Sequence, residues 1–217
     1  MTGISSFREQ GKERFLRITA PVCRFLSSLG VNPDLLSFTG LLLSMVAGLI
    51  YSGGFFFLGG LVLIVAGICD VLDGQMARQI GKLSAFGAFF DSVIDRYSEL
   101  FVFLGLAWHF AGSVGEPGAI PGRWVVLVII LALSGSLMVS YTRARAEGLG
   151  VDCKVGWMQR PERITILVLG SLLSGLPSMG HFIMAGTLLI IAVLSNYTAV
   201  QRILHVKNQL AKKNQRT

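Results

Sequence analysis

The sequence predicts an all-α integral membrane protein, with six transmembrane helices preceded by an N-terminal amphipathic juxtamembrane helix. Three observations carry that prediction. Hydrophobic residues make up 53% of the 217-residue chain against 14% charged, and the mean hydropathy is +0.66, too apolar for an ordinary soluble domain. The apolar runs come in lengths of about 20 residues, which is what a helix needs to cross a bilayer. Finally, every Lys and Arg except Arg96 and Arg123 falls in the N-terminal arm, the 78–82 turn, the 143–163 stretch or the tail from Arg202, an uneven distribution of the kind that orients membrane proteins.

The arm, residues 1–30, is not a signal peptide: its charges are spread through it, and no compact apolar stretch precedes a small-residue cleavage site. Phe7, Phe15, Ile18, Val22, Phe25 and Leu26 alternate with Arg8, Lys12, Arg14, Arg17 and Arg24, a pattern suited to a helix lying on an anionic surface. Apolar segments then fall at about 35–52, 55–77, 84–112, 122–142, 162–176 and 181–203, separated by Gly, Pro or charged breaks. They define one six-helix domain over residues 31–208, followed by a basic tail at 209–217. The first span opens with "VNPDLLSFTG", where Asn32 can cap, Pro33 suits the first helical position, and Asp34 and Ser37 offer polar groups. The fifth span is the shortest. Basic residues on alternate loops place both termini and the 78–82 and 143–163 loops on the cytoplasmic side of the cell (inner) membrane.

The formal charge of +7 points to anionic headgroups or phosphorylated substrates at the membrane face. No nucleic-acid motif is present, so nucleic acid is not an expected partner. Cys23, Cys69 and Cys153 lie far apart without CxxC or Cys/His spacing, which supports neither a disulfide framework nor a zinc site. Trp108, Trp124 and Trp157 suit interfacial anchoring. His109, His181 and His205 read as satisfied or solvated histidines outside any mechanism.

"CDVLDGQMARQIGKLSAFGAFFDSVIDR", residues 69–96, sets four aspartates in this apolar chain. A hairpin centred near residue 81 would place Asp70 opposite Asp91, each about ten residues, or about 15 Å of helix, from the turn. Asp70 and Asp73 share a helix face at i, i+3, and Asp91 and Asp95 share one at i, i+4. Four ionised carboxylates so close in a poor solvent require protons or divalent cations among them. Oxygen ligands without nearby His or Cys favour Mg²⁺, Mn²⁺ or Ca²⁺. Gly74 and Gly87 remove bulk beside the acids, and Arg78, one turn beyond Gly74, can complement phosphate oxygens. A transporter would instead spread its acids along a route and repeat them in the second half; residues 110–217 hold no comparable set.

The pattern Asp70-x-x-Asp73-Gly74-x-x-Ala77-Arg78, then eight residues, then Gly87-x-x-x-Asp91-x-x-x-Asp95 resembles the full motif of the CDP-alcohol phosphatidyltransferases. The resemblance implies transfer of a phosphatidyl group from CDP-diacylglycerol or a similar CDP-lipid to an alcohol, with release of CMP. It implies that Asp70, Asp73, Asp91 and Asp95 hold a pair of divalent ions, Mg²⁺ or Mn²⁺, and that Asp95 is also the catalytic base. Asp34, Ser37, Gly74, Ala77, Arg78 and Gly87 would contact the CDP-lipid. Such proteins are commonly homodimers within the membrane lipid.

The acceptor must be read elsewhere. Arg143, Arg145, Arg163 and Arg202 stand inside or at the edges of apolar segments, where charge is disfavoured. Guanidinium groups bind phosphate with forked hydrogen bonds, so a phosphorylated alcohol is expected. The stretches "SYTRARAE", "QRPERI" and "VQRILHVK" look like the prokaryotic phosphatidylinositol-phosphate synthases of the same family. That likeness implies inositol 1-phosphate as acceptor, its phosphate held by the four arginines. Arg143 stands where those synthases usually have Lys, which keeps glycerol 3-phosphate, another inositol phosphate or an archaeal-type ether-lipid donor as alternatives.

Overall fold

The computed structural model describes residues 19–26, 28, 31–79, 84–112, 121–176 and 179–215. Most of the expected amphipathic arm, including Phe7, Arg8, Lys12, Arg14, Phe15, Arg17 and Ile18, lies outside them, as do the 80–83 turn and Lys82. The regular secondary structure of the described residues is all helical, with no strand. After a helical stretch at 19–26, the helices are α1 (Pro33–Ser52), α2 (Phe56–Gln79), α3 (Ala85–Gly112), α4 (Gly122–Gly148), α5 (Arg160–Leu173) and α6 (Gly180–Asn214).

Four of these, α1, α2, α4 and α6, are long and apolar enough to cross a membrane. At 28 residues α3 has the length, but Asp91, Asp95, Arg96 and Glu99 interrupt its apolar character. With 14 residues α5 reaches only about 21 Å, short of a hydrocarbon core of about 30 Å. By contrast, α4 and α6 outrun their apolar stretches. The expected ends near 142 and 203 lie well before Gly148 and Asn214, because "TRARAE" and "HVKNQLAKK" are polar yet strong helix formers. The chain leaves α4 through a left-handed Gly150 with φ +70°. There the Val151 N–H donates to Ala146 O and the Gly150 N–H to Glu147 O, both at 2.9 Å, the paired bonds of a glycine-terminated helix.

The described residues form two compact units, one from those within 1–43 and 65–98 and the other from those within 44–64 and 99–217. In the first, Cys23, Leu72 and Met76 are buried together, with Leu26, Val31 and Leu36 packed on them. Thr19 Oγ1 donates to Gln75 Oε1 at 2.5 Å, so a buried amide has its partner. Val22 and Phe25, on the same helical stretch, remain exposed.

In the second unit the core runs from Ala47, Tyr51, Phe56 and Leu63 through Val102, Phe103 and Leu106 to Ile129, Met184, Leu188 and Ile191. Gly48 and Gly105 let α1 and α3 touch: a Cβ on Gly105 would lie 1.9 Å from the Gly48 carbonyl oxygen. Between α4 and α6, Asn196 Nδ2 donates to Leu131 O at 2.9 Å. The connection between α4 and α5 is tied to the polar end of α6 by a small core of Ala146, Val151 and Cys153 against Val155, Val206 and Leu210.

Candidate active site

The first unit carries the acids. On α2, Asp70 and Asp73 are three residues apart; on α3, Asp91 and Asp95 are four apart. Carboxylate oxygens of Asp70, Asp91 and Asp95 all lie within 4.8 Å of one another, and all three residues are half-buried. Asp73 is different. It is only 5% exposed, and its Oδ2 accepts a 2.5 Å hydrogen bond from Ser37 Oγ on α1. The hairpin expectation therefore brings three acids to one point, while the fourth faces α1.

The structure also shows how α3 starts. Ser84 Oγ accepts the Gly87 N–H at 2.9 Å, a side-chain cap that satisfies one of the otherwise unpaired donors of the first turn. A Cβ on Gly87 would lie 3.0 Å from that same Ser84 Oγ, whereas one on Gly74 would meet nothing nearer than Arg78 Nη2 at 3.9 Å. Space beside the acids is thus open at Gly74, and Gly87 serves the cap. Ala77 is half-buried and Arg78 exposed on the last turn of α2. Arg96 Nη1 lies 3.6 Å from Asp95 Oδ2 and donates to Ser92 O. Asn32 caps α1 with a long contact, the Asp34 N–H at 3.4 Å from its Oδ1, and Asp34 itself is exposed.

Three carboxylates at such separations repel one another strongly in a poorly solvated place. An all-oxygen donor set of this kind fits a hard divalent cation such as Mg²⁺ or Mn²⁺, and not zinc, for which His or Cys would be expected.

The second unit carries the arginines, and they divide. Arg143 and Arg145 are exposed on the last turns of α4, with Arg143 Nε 2.9 Å from Glu147 Oε1. Arg163 and Arg202 are each only 2% exposed. Arg202 Nε donates to Val155 O at 2.9 Å, and its Nη1 donates to Val139 O. Gly156, with φ +104°, lies against α6 at this point, where a Cβ would be 2.3 Å from Thr198 Cγ2 and 3.7 Å from Arg202 Nε.

Arg163 on α5 has a partner that the sequence reading missed. Its Nε and Nη2 donate to Glu99 Oε1 and Oε2 at 2.7 and 3.0 Å, and its Nη1 donates to Met158 O at 3.1 Å. Ser136 Oγ of α4 adds a 2.5 Å bond to Glu99 Oε2. The signal for Glu99 was present: an acid inside an apolar segment requires a cationic or hydrogen-bonding partner.

Comparison with known proteins agrees with the geometry. The family model described as CDP-alcohol phosphatidyltransferase matches residues 31–198. An archaetidylinositol phosphate synthase from Methanothermobacter thermautotrophicus is 38% identical over 182 residues, covering 84% of this chain and 86% of the relative. A crystal structure of the phosphatidylinositol phosphate synthase of Mycobacterium tuberculosis with CDP-DAG bound superposes with a TM-score of 0.77 at 34% identity, covering 88% of this chain and 94% of that one. A second structure of that enzyme, in complex with manganese and citrate, gives a TM-score of 0.77 at 33% identity over 87% of this chain and 88% of that one.

Proposed function

The chain belongs to the CDP-alcohol phosphatidyltransferase family, and from that premise we propose that it transfers the lipid phosphate of CDP-diacylglycerol, or a similar CDP-lipid, to a hydroxyl of inositol 1-phosphate. The products are a phosphatidylinositol phosphate and CMP. The observation that carries the proposal is the convergence of Asp70, Asp91 and Asp95 oxygens within 4.8 Å, in a chain similar to an enzyme solved both with CDP-DAG and with manganese.

In this proposal Asp70, Asp73, Asp91 and Asp95 hold two divalent ions. Such ions, when bound, neutralise the pyrophosphate and the departing CMP. Ser37 orients Asp73 through its 2.5 Å hydrogen bond, and the two residues together border the donor. Asp34, Gly74, Ala77, Arg78 and Gly87 complete the donor side, with Gly74 leaving room for a phosphate and Arg78 supplying positive charge. Asp95, beside Arg96 at 3.6 Å, takes the proton from the acceptor hydroxyl as that oxygen attacks the lipid-bearing phosphorus. Arg143, Arg145, Arg163 and Arg202 hold the acceptor's phosphate.

The six-span topology, with α3 and α5 as the polar and short members, the interfacial arm, both termini and the acid site on the cytoplasmic side, and a homodimer formed through the spanning helices are part of the same proposal. They rest on the Lys and Arg distribution and on the family likeness. The names of the relatives share an inositol phosphate and differ in the lipid, so the donor chains are a separate variable. The test is CMP release by purified protein in detergent with Mn²⁺, comparing inositol 1-phosphate, glycerol 3-phosphate and free inositol, each with a diacyl and an ether-linked CDP-lipid. Release that requires inositol 1-phosphate supports the proposal. Equal release with free inositol overturns the role of the acceptor phosphate, and absence of release overturns the whole.

A further inference from the structure

A carboxylate and a guanidinium buried together need hydrogen bonds beyond their mutual attraction to offset their desolvation. Glu99 and Arg163, 9% and 2% exposed at their side chains, are arranged in that way. Arginine has five N–H donors in a planar fork. In Arg163, Nε–H and one N–H of Nη2 go to Glu99, and one N–H of Nη1 goes to Met158 O. Among the described residues, one N–H on each terminal nitrogen meets no further acceptor, and two donors from one guanidinium are what a forked bond to a phosphate uses. Glu99 in turn is held by Ser136 at 2.5 Å. The orientation of Arg163 is therefore set by α3, α4 and the backbone just before α5.

We propose that Glu99 is the positioning residue of the acceptor site, fixing Arg163 so that its two remaining N–H groups face the acceptor's phosphate; this rests on the acceptor assignment made above. Glu99 also cancels the charge of Arg163, so Arg163 contributes direction more than net charge. Arg143 is likewise paired, with Glu147, so attraction of the anion falls to Arg145 and Arg202. Two opposing expectations follow for Glu99→Gln. If charge alone governed the site, removing a carboxylate would strengthen phosphate binding and lower the acceptor KM. If position governs it, the released guanidinium loses its orientation and the acceptor KM rises.

The experiment measures steady-state CMP release with the full-length protein, varying inositol 1-phosphate at saturating CDP-diacylglycerol and then the reverse. Glu99→Gln is expected to raise the acceptor KM about tenfold or more while the donor KM changes less than twofold. Arg163→Lys, which keeps the charge and loses the fork, should match it, and the double variant should add little to either single change. Ser136→Ala leaves the ion pair intact and loosens only Glu99. It should raise the acceptor KM by a few-fold, and it keeps the test available if Glu99→Gln does not fold. An acceptor KM that falls or stays unchanged in Glu99→Gln or Ser136→Ala, or donor and acceptor KM that rise together, overturns the proposal. Absence of inositol-1-phosphate-dependent release by the wild-type protein would instead remove the acceptor assignment on which it stands.

Discussion

Replacing Asp70 with Asn should stabilise the metal-free protein and abolish its response to divalent cations. The carboxylate oxygens of Asp70, Asp91 and Asp95 lie within 4.8 Å of one another. At that separation and an effective dielectric constant near 20, two full charges repel by about 3.5 kcal/mol. Asn at position 70 removes two of the three repelling pairs. Solvent screening of these half-buried groups reduces the realised gain to a fraction of that sum, of order 1–2 kcal/mol. For a domain of this size each kcal/mol moves Tm by about 2–4 °C. Thermal unfolding in detergent with chelator should therefore show Asp70→Asn melting a few degrees above wild type. With saturating Mn²⁺ the order should reverse, because wild type gains the free energy of binding the ion and the variant has lost a ligand. A variant that melts below wild type in chelator, or that keeps the full Mn²⁺-dependent rise, would refute the claim that these three oxygens form one cation site.

Other consequences can be checked with the same preparation. Asp95→Asn removes the proposed base and should lower kcat by about 10²–10⁴-fold while retaining CDP-lipid binding, measured directly by equilibrium binding of the labelled donor. Gly105→Ala forces a Cβ to within 1.9 Å of Gly48 O; the helices must separate, at a cost of about 1–3 kcal/mol, and an unchanged Tm would contradict the close approach of α1 and α3. Ser84→Ala deletes the cap on the Gly87 N–H, a loss of about 1 kcal/mol, which should lower Tm by about 2–4 °C and leave acceptor selectivity as it was.

The parts of the molecule legible in the sequence are those set by periodicity and spacing. The starts of all six helices lie within a few residues of the first residue of each apolar run, because Pro33, Pro121 and Pro161 or an adjacent glycine marks most of them. The ends of α4 and α6 were not legible from hydropathy, since a helix can outlast its apolar stretch when Arg, Lys, Gln and Ala follow. The convergence of Asp70, Asp91 and Asp95 follows from counting outward from one turn. What the count does not give is the hydrogen bond to Asp73 from Ser37, a residue far away in sequence. The basic residues show the same boundary. Position in or beside an apolar segment marks Arg143, Arg145, Arg163 and Arg202 alike, yet two are exposed and two are buried in networks of Glu99, Ser136 and backbone carbonyls. Those networks depend on which helices meet, a tertiary property that no local pattern encodes.

The central claim is a chemical transfer, and label transfer tests it most directly. Purified protein in lipid–detergent micelles would be given CDP-diacylglycerol, Mn²⁺ and inositol 1-phosphate carrying a labelled ring, and the organic phase counted after extraction. Label should pass into the lipid fraction in step with CMP release, and it should stop on chelation and in Asp95→Asn. Release of CMP with the label left in the aqueous phase would mean that water, not the inositol hydroxyl, receives the lipid phosphate, and would contradict the proposed function.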